Sequence, residues 1–289
     1  MAKIKDFNCT YNNTSGISDK VTKGLGLCFP QAYYEKDSIV SLALHIKEVE
    51  GANFCELPFC HTVEGEGLGA KINPGDDKLG PRAGEYICSK IEEVLELSPM
   101  NLKTGRIFEN LEACKMLKAK GETVVFMVSG PFTILNLLID PKFIAKGLRK
   151  NKEKMQEVFE FLRQEILRFT EAIVEAGADF ISYADSAGAL NIIGPQNMEE
   201  VTRSFTYPYL KEALKKVEGK AQISLCPKTS FALLGTELAK WEKIELENLP
   251  LPYLEACILA KDKAPIVGLM CVKNINYQVK ETFKGLKLL

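Results

Sequence analysis

The sequence predicts an α/β protein, a (β/α)8 TIM barrel that forms a single domain over residues 1–289. Short apolar segments alternate with longer amphipathic ones along the chain, a pattern typical of parallel strands covered by helices. A chain of 289 residues has room for one such barrel. No GxGxxG motif follows the first apolar segment, which removes the main support for an open, dinucleotide-binding sheet.

The first half of the chain supplies two strands and two helices. A helical pattern over 35–51 leads into a predicted strand over 52–59, and a second strand, rich in β-branched residues, is predicted over 123–132. Apolar residues at i, i+3 and i+4 spacing predict a long amphipathic helix over about 151–176. Gly177 is placed to end that helix.

The second half continues the alternation. Strands are predicted over 179–188, 221–229, 243–249 and 264–274, with a helix over roughly 197–217 between the first two. Each strand segment is short and apolar, and polar or glycine residues bound it.

Composition excludes several classes of function. The formal net charge is −1 and no run of basic residues interleaves with aromatic ones, which argues against a nucleic-acid partner. We expect no membrane segment, because no stretch approaches about 20 apolar residues. The first thirteen residues lack the apolar core of a signal peptide, so we predict a cytoplasmic protein. The nine cysteines are scattered without a CxxC pair, which predicts reduced thiols.

Residues at the predicted strand ends carry the candidate chemistry, since the active site of a barrel collects at the carboxyl ends of its strands. Cys226, Glu247 and Cys271 end three late strands. Two thiolates and a carboxylate with one open position form a plausible catalytic zinc set. The alternatives stay open at this point: Glu247 as a solvated strand end, and the cysteines as small core residues.

Several sequence segments carry a resemblance to a known family. The specific ones are TVEGEGLGA at 62–70 and GPFT at 130–133, within a similarity that runs in order from about residue 12 onward through ISLCPKT, IELEN and GLMC. The chain thereby resembles the corrinoid methyltransferases of the uroporphyrinogen decarboxylase superfamily. That resemblance implies an eight-stranded barrel that holds a zinc ion.

The resemblance also assigns residues to the zinc site. Cys226 matches the cysteine of the family's His-x-Cys pattern, Glu247 matches its strand-end glutamate and Cys271 its last cysteine. Ser224 stands where the family has histidine, which leaves three protein ligands with water or substrate as the fourth. The short stretch between Glu247 and Cys271 indicates a shortened last βα unit.

The resemblance covers two branches of the superfamily, the decarboxylase and the methyltransferases. The decarboxylase handles a substrate with eight carboxylates and needs arginines early in the barrel, whereas this chain has six arginines, the first at Arg82. Unpaired buried charge is costly, so the sequence favours the methyltransferase branch. The chain contains no recognisable corrinoid-binding domain, and we therefore expect a separate corrinoid protein as partner.

Enzymes of the methyltransferase branch transfer the methyl group either to the corrinoid or from it. Loss of the family histidine at Ser224 favours a small methyl ether as donor, as in the methyltransferase I components of O-demethylases, with zinc as Lewis acid on the ether oxygen. The alternative is a methylcobamide:thiol methyltransferase of the coenzyme M type. A decarboxylase-like enzyme and a non-catalytic binding barrel remain as further alternatives.

Further candidate residues surround this predicted site. His61 is a candidate proton donor to a leaving group, with a hydrogen bond at the rim as the alternative. Asp185 matches the family's strand-end aspartate and is predicted to lie near polar atoms of the substrate. Additional substrate-binding candidates are two paired carboxylates, a strand-end hydroxyl and two aromatic rings: Glu64, Glu66, Ser129, Phe132 and Tyr183.

Overall fold

The structure is a computed structural model that describes residues 3–7, 9, 17, 19–23 and 25–289. Residues 1, 2, 8, 10–16, 18 and 24 of the predicted domain lie outside this described part. In the described part, no helix has both the length and the apolar character needed to cross a membrane.

Helices and strands alternate along most of the chain. The helices are α1 Asp19–Thr22, α2 Lys36–Glu50, α3 Val63–Gly67, α4 Gly105–Ala119, α5 Pro131–Leu138, α6 Pro141–Lys150, α7 Lys152–Glu175, α8 Leu190–Val201, α9 Tyr207–Val217, α10 Pro227–Gly235 and α11 Tyr253–Leu259. The strands are β1 Cys55–Leu57, β2 Ile72–Asn73, β3 Arg82–Ala83, β4 Val124–Ser129, β5 Phe180–Ala184, β6 Gln222–Leu225, β7 Ala239–Ile244, β8 Leu251–Pro252, β9 Ile266–Val267, β10 Gln278–Val279 and β11 Phe283–Leu288.

The central sheet has seven strands in the order β1-β4-β5-β6-β9-β11-β7. Every pair from β1 to β9 is parallel, whereas β11 is antiparallel to both β9 and β7. The carboxyl ends of the five parallel strands therefore lie at one edge of the sheet. The segments that follow those strands surround a common region, where the functional site is expected.

Burial explains why these segments become strands and covering helices. All six residues of β4 are buried, as expected for a parallel strand that is covered on both faces. The long helix α7 buries Met155, Leu162 and Phe169 along one side, which is the apolar stripe that its sequence predicts. Gly177 follows that helix with φ of 91°, a left-handed conformation that glycine adopts without steric cost.

Most predicted elements are confirmed with shorter bounds. The predicted helix over 151–176 is α7, and the strands over 123–132, 179–188 and 221–229 are β4, β5 and β6. The predicted helix over 197–217 is part of a longer helical stretch in which a π-helical turn, Thr202–Thr206, joins α8 to α9.

The predicted strand over 243–249 requires a correction. The observed strand β7 ends at Ile244 and pairs only with the antiparallel strand β11 in the described part of the chain. Only the first and last residues of β7, Ala239 and Ile244, are buried, and three of the four between them are exposed, which suits a sheet edge rather than a strand covered on both faces. The parallel sheet continues directly from β6 to β9. The next strand of the predicted pattern, β7, is therefore not the neighbour of β6 in the sheet.

Candidate active site

A cavity of about 240 Å³ opens at the carboxyl ends of β5, β6 and β9. Cys226 follows the last residue of β6, and Pro227 begins α10 immediately afterwards. Proline is favoured at the first helical position because it needs no backbone donor there. This strand-to-helix junction places the Cys226 thiol beside the cavity, and Cys271, which follows β9, lines the same cavity.

The environment of both thiols favours their protonated form. Burial raises the pKa of Cys226. Burial is also the main cause that raises the pKa of Cys271 to about 11, with the nearby charge of Cys226 adding to the effect and Lys273 opposing it. Each thiol thus needs a cation or a metal close by to become a thiolate near neutral pH.

A third thiol, Cys9, also lines this cavity. The segment before it lies against α10: the rings of Phe7 and Phe231 stack with centroids 5.9 Å apart, and Asp6 lies 3.7 Å from the ammonium of Lys228. The sequence alone does not indicate Cys9 as a site residue, because nothing in the pattern around it shows that the amino-terminal segment reaches the carboxyl edge of the sheet.

The predicted three-residue zinc set is not assembled by the described residues. Glu247 is exposed, follows the early end of β7 and is not among the residues lining the cavity. The described residues contain no group of three His, Cys, Asp or Glu side chains arranged to hold a metal ion. Cys226 and Cys271 are the soft donors that zinc prefers, but a catalytic zinc site uses three protein ligands. The two thiols are chemically suited to zinc, but two protein ligands are fewer than the three that a catalytic zinc site uses.

His61 lines the cavity and is neutral near neutral pH. Burial, together with the nearby ammonium of Lys273, lowers its pKa from 6.5 to about 4. The Nδ1 atom lies 3.4 Å from the Ser129 hydroxyl oxygen, so that Ser129 orients the ring instead of facing the cavity itself. A neutral imidazole can donate or accept one hydrogen bond to a substrate, depending on its tautomer.

Asp185 also lines the cavity, but its carboxylate is held by the start of α5. One oxygen, Oδ1, accepts hydrogen bonds from the backbone N–H and from the hydroxyl of Thr133, both at 2.8 Å. The other oxygen accepts the Phe132 N–H at 3.2 Å. Burial raises the pKa of Asp185, and these hydrogen bonds oppose the rise. We interpret Asp185 as a residue that positions α5 beside the cavity.

The predicted carboxylates Glu64 and Glu66 lie away from the thiols. Glu64 is buried and accepts the Ser129 N–H at 2.7 Å, and burial raises its pKa. Glu66 accepts a hydrogen bond from Nε of Arg106 at 2.6 Å. Neither side chain is among those that line the cavity. Each therefore stabilises the segment after β1 and does not contact a ligand in the cavity.

The two predicted aromatic residues belong to the protein interior. Tyr183 is fully buried, with its ring centroid 5.1 Å from that of Tyr209. Phe132 is buried and its ring lies 6.1 Å from that of Phe159. Neither ring lines the cavity that holds the thiols.

Lys273 is a cavity residue that the sequence analysis missed. It lies two positions after Cys271, forms an ion pair with Glu56 of β1, and places its Nζ 3.0 Å from the Sδ of Met127. Its charge lowers the pKa of both His61 and Cys271. A lysine next to the strand-end cysteine was visible in the sequence, but its approach to β1 across the cavity depends on the tertiary fold.

Comparison with known proteins identifies the class. The model for the family described as Uroporphyrinogen decarboxylase (URO-D) matches residues 18–247. The chain belongs to this family. A solved methyltransferase from Methanosarcina mazei is similar in fold, with a TM-score of 0.63 and 24% identity over 76% of this chain and 66% of that chain. The predicted TIM-barrel class is thereby confirmed.

Several relatives of this chain are methyltransferases. A methylcobamide:CoM methyltransferase MtaA from Methanosarcina barkeri is 26% identical over 90% of this chain and 76% of its own. A methylcobamide:CoM methyltransferase MtbA from Methanosarcina acetivorans is 26% identical over 72% of this chain and 62% of its own. A methylated-thiol--coenzyme M methyltransferase from Methanosarcina mazei is 19% identical over 84% of this chain. The predicted corrinoid-dependent methyltransferase class is confirmed.

Proposed function

We propose that this protein transfers a methyl group from a methylated corrinoid, carried by a separate protein, to a small thiol. The observation that carries the proposal is the cavity at the carboxyl edge of the sheet, which contains cysteines 226 and 271 and the ammonium of Lys273. Support comes from the relatives, whose names specify methylcobamide and coenzyme M as reactants. The thiol acceptor is thus preferred to the methyl ether that the sequence analysis favoured.

The reaction is a displacement in which the electrons balance without an external oxidant or reductant. The acceptor sulfur forms a bond to the methyl carbon, the cobalt–carbon bond breaks with its electron pair left on Co(I), and the thiol proton goes to solvent. The chain has to hold the acceptor sulfur in line with the methyl group and exclude water. Lys273 would favour the thiolate of the acceptor through its positive charge, and His61 would orient the acceptor by a hydrogen bond.

Zinc at Cys226 and Cys271 stays a prediction, and the displacement itself balances without it. When bound, the metal would supply a Lewis acid that lowers the pKa of the acceptor thiol. The two cysteines would be its protein ligands on this chain. Metal analysis of protein purified after growth with zinc tests this part: about one zinc per chain supports it, and a metal content unchanged by Cys226→Ser contradicts it.

The proposed activity can be tested with free methylcobalamin as a substitute for the methylated partner. We expect the purified protein to convert 2-mercaptoethanesulfonate or 2-mercaptoethanol to its methyl thioether, detected by mass spectrometry, while the visible spectrum reports demethylation of cobalt. Cys226→Ser removes one of the two predicted zinc ligands and should for that reason abolish turnover, and replacement of an exposed cysteine, Cys28→Ser, serves as the matched control. Absence of thioether with both thiols would contradict the proposal.

The methyl ether donor remains the competing hypothesis, because Ser224 is buried in β6 and lines the cavity where the resemblance places a histidine. Incubation with a methoxylated arene and Co(I) corrinoid tests it directly. Formation of methylcobalt and a free phenol, without any reaction of thiols, would favour the ether donor over the thiol acceptor.

A further inference from the structure

Three thiols line the cavity at the carboxyl edge of the sheet, and the family resemblance assigns a role to only two of them. Cys226 and Cys271 are the predicted zinc ligands. Cys9 also lines the cavity, but it precedes residue 18, where the match to the family model begins. The position of Cys9 beside the other two thiols therefore has to be explained from this chain itself.

The described residues before Cys9 lie against α10. The ring of Phe7 stacks on that of Phe231, with centroids 5.9 Å apart and an angle of 19° between the ring planes. A carboxylate oxygen of Asp6 lies 3.7 Å from the ammonium of Lys228, which itself lines the cavity. These contacts place Cys9, two positions after Phe7, beside the helix that begins next to Cys226.

Cys226 is the thiol that interacts with both of the others. Burial raises the pKa of Cys226, and the nearby charge of Cys9 adds to the rise. Burial also raises the pKa of Cys271 to about 11, with a further contribution from the charge of Cys226. Charges influence one another in this way only over short distances, so Cys226 is a common neighbour of Cys9 and Cys271.

Two other potential metal ligands line the cavity, and both have partners elsewhere. The two carboxylate oxygens of Asp185 accept hydrogen bonds from Phe132 and Thr133 at the start of α5. Nδ1 of His61 lies 3.4 Å from the Ser129 hydroxyl oxygen. Thiolates are the softer donors and are preferred by zinc. The third thiol is therefore the best candidate to complete the site.

We infer that Cys9 is a third thiolate ligand of a zinc ion held with Cys226 and Cys271. This inference rests on the zinc site of the proposed function and adds a ligand to it. Three thiols supply the number of protein ligands that a catalytic zinc site uses and leave the fourth position open. In the described part of the chain the three sulfurs are not yet grouped around one point. Zinc binding therefore has to draw Cys9, which is exposed, farther into the cavity, and the binding free energy offsets this ordering.

The first experiment measures zinc affinity by competition with a chromophoric chelator. We expect Cys9→Ser to weaken zinc binding at least about tenfold, because loss of a group that only supports a ligand already costs about 10- to 100-fold. Cys28→Ser, which replaces another exposed cysteine, is the matched control and should bind zinc as the wild type does. Circular dichroism checks that both variants are folded. A wild-type affinity in Cys9→Ser would overturn the inference.

Replacement of zinc by Co(II) counts the thiolates around the metal. Each thiolate contributes sulfur-to-cobalt charge-transfer absorption in the near ultraviolet. For Cys9→Ser we expect this absorption to fall by about a third, since one of three soft ligands is lost. His61→Asn should keep the wild-type absorption. A spectrum that changes in His61→Asn and not in Cys9→Ser would make the histidine the third ligand and refute the assignment of Cys9.

Alkylation by iodoacetamide compares two exposed cysteines, Cys9 and Cys28, within the same molecule. We expect zinc to slow modification of Cys9 at least about tenfold, because a thiolate bound to metal is less available to the reagent. Modification of Cys28 should be the same with zinc and after removal of zinc by a chelator. Mass spectrometry of peptides measures both rates. Equal rates for Cys9 in the two states would contradict its role as a ligand.

None of these measurements requires methyl transfer, so they separate the third ligand from the proposed function. If the wild type binds zinc through Cys9 and methylates neither thiol, the proposed function fails and the assignment of Cys9 stands. If protein purified after growth with zinc binds no metal, the assignment of Cys9 fails, and the methylcobalamin assay alone decides the proposed function.

Discussion

The carboxylate of Asp185 accepts two hydrogen bonds from Thr133, one from its backbone N–H and one from its hydroxyl, both at 2.8 Å. Thr133 belongs to the first turn of α5, so an aspartate at the end of β5 satisfies donors that the neighbouring helix leaves unpaired. The carboxylate also lies at the positive end of that helix. This contact fixes α5 against the edge of the sheet at which the cavity opens.

Removal of this contact should destabilise the protein. For Asp185→Ala we expect the free energy of unfolding to fall by about 2 kcal/mol, because the Thr133 and Phe132 donors lose their acceptor. Asp185→Asn retains one acceptor oxygen and should lose less. Urea denaturation followed by circular dichroism measures both. An unchanged midpoint in both variants would argue against the positioning role.

Gly188 closes the loop around the same carboxylate. A Cβ at this position would lie 2.5 Å from Oδ2 of Asp185, so we expect Gly188→Ala to displace the carboxylate and reduce stability by about 1–3 kcal/mol. In an Asp185→Ala background the same substitution should have a smaller effect, since the obstructing atoms are gone. Gly67→Ala, whose Cβ would meet the flexible side chain of Met100 at 3.2 Å, is a suitable control. Additive effects in the double variant would contradict this interpretation.

Arg106 joins two residues of the segment after β1 to Tyr34, which precedes that strand. Its side chain is 1% exposed and paired with Glu66, while Nη2 donates to the Thr62 hydroxyl at 2.5 Å. Its guanidinium also lies over the ring of Tyr34, 5.0 Å from the centroid. We expect Arg106→Met to lower the free energy of unfolding by about 3 kcal/mol, because Glu66 loses its partner.

The double variant Arg106→Met, Glu66→Gln provides the check on this explanation. Once the carboxylate is neutral, part of the lost stability should return. Denaturation of the two single variants and the double variant gives the coupling energy. A coupling close to zero would assign the effect of Arg106 to packing alone.

His61 should make the folded protein sensitive to acid. Its pKa is lowered to about 4 in the folded state from 6.5, so the unfolded chain binds the additional proton between these values. Stability then falls as the pH decreases through this window. Relative to His61→Asn, the wild type should lose on the order of 2 kcal/mol between about pH 7 and pH 4, a figure reduced because the ring is partly exposed.

The comparison with His61→Asn isolates the histidine from other groups with altered pKa values. Glu64 and Asp185 have raised pKa values and contribute in the opposite direction, since their stabilisation is lost as the pH rises. Both groups are present in both proteins and cancel in the difference. Lys273 and Ser129, which face the ring, are also unchanged. Parallel pH profiles for the two proteins would mean that His61 titrates normally.

Glu247 and Cys226 should respond differently to substitution. Glu247 is exposed and outside the lining of the cavity, so Glu247→Gln should leave metal content and methyl transfer unchanged and stability within about 0.5 kcal/mol. Cys226→Ser should abolish transfer. Metal analysis and the methylcobalamin assay on both variants make the comparison, and loss of bound metal in Glu247→Gln would restore the glutamate as a ligand.

Local patterns in the sequence predicted the framework of the site. The buried run of β4 and the apolar stripe of α7 each depend on neighbouring residues, and each is found where the sequence predicts it. Cys226 and Cys271 were also predicted to share a site, because parallel strands deliver their ends to one edge of a sheet. Both thiols line the same cavity, and their role as metal ligands stays a prediction.

The late part of the sheet could not be predicted in this way. The segment around β7 has a strand-like sequence, but its pairing with β11 joins residues 39 to 49 positions apart, from Ile244 opposite Phe283 to Ala239 opposite Leu288. The sequence pattern of a strand indicates which residues are buried, but it does not indicate the neighbouring strand or its direction. Whether Glu247 faces the cavity depends on which strand β7 pairs with. The same limit applies to Cys9 and Lys273, which reach the cavity from distant segments.

The sequence by itself determined the class of fold, the family resemblance and the two thiols, because these follow from periodic burial and from residues attached to strand ends. Only the tertiary structure decided which polar groups surround those thiols. It excluded Glu247 from the cavity, engaged Asp185 with α5 and left Nη1 of Arg82 without a described partner. The physical reason is that hydrogen bonds and ion pairs act over a few ångströms between residues that are far apart in the chain, so their partners are fixed only when the chain is folded.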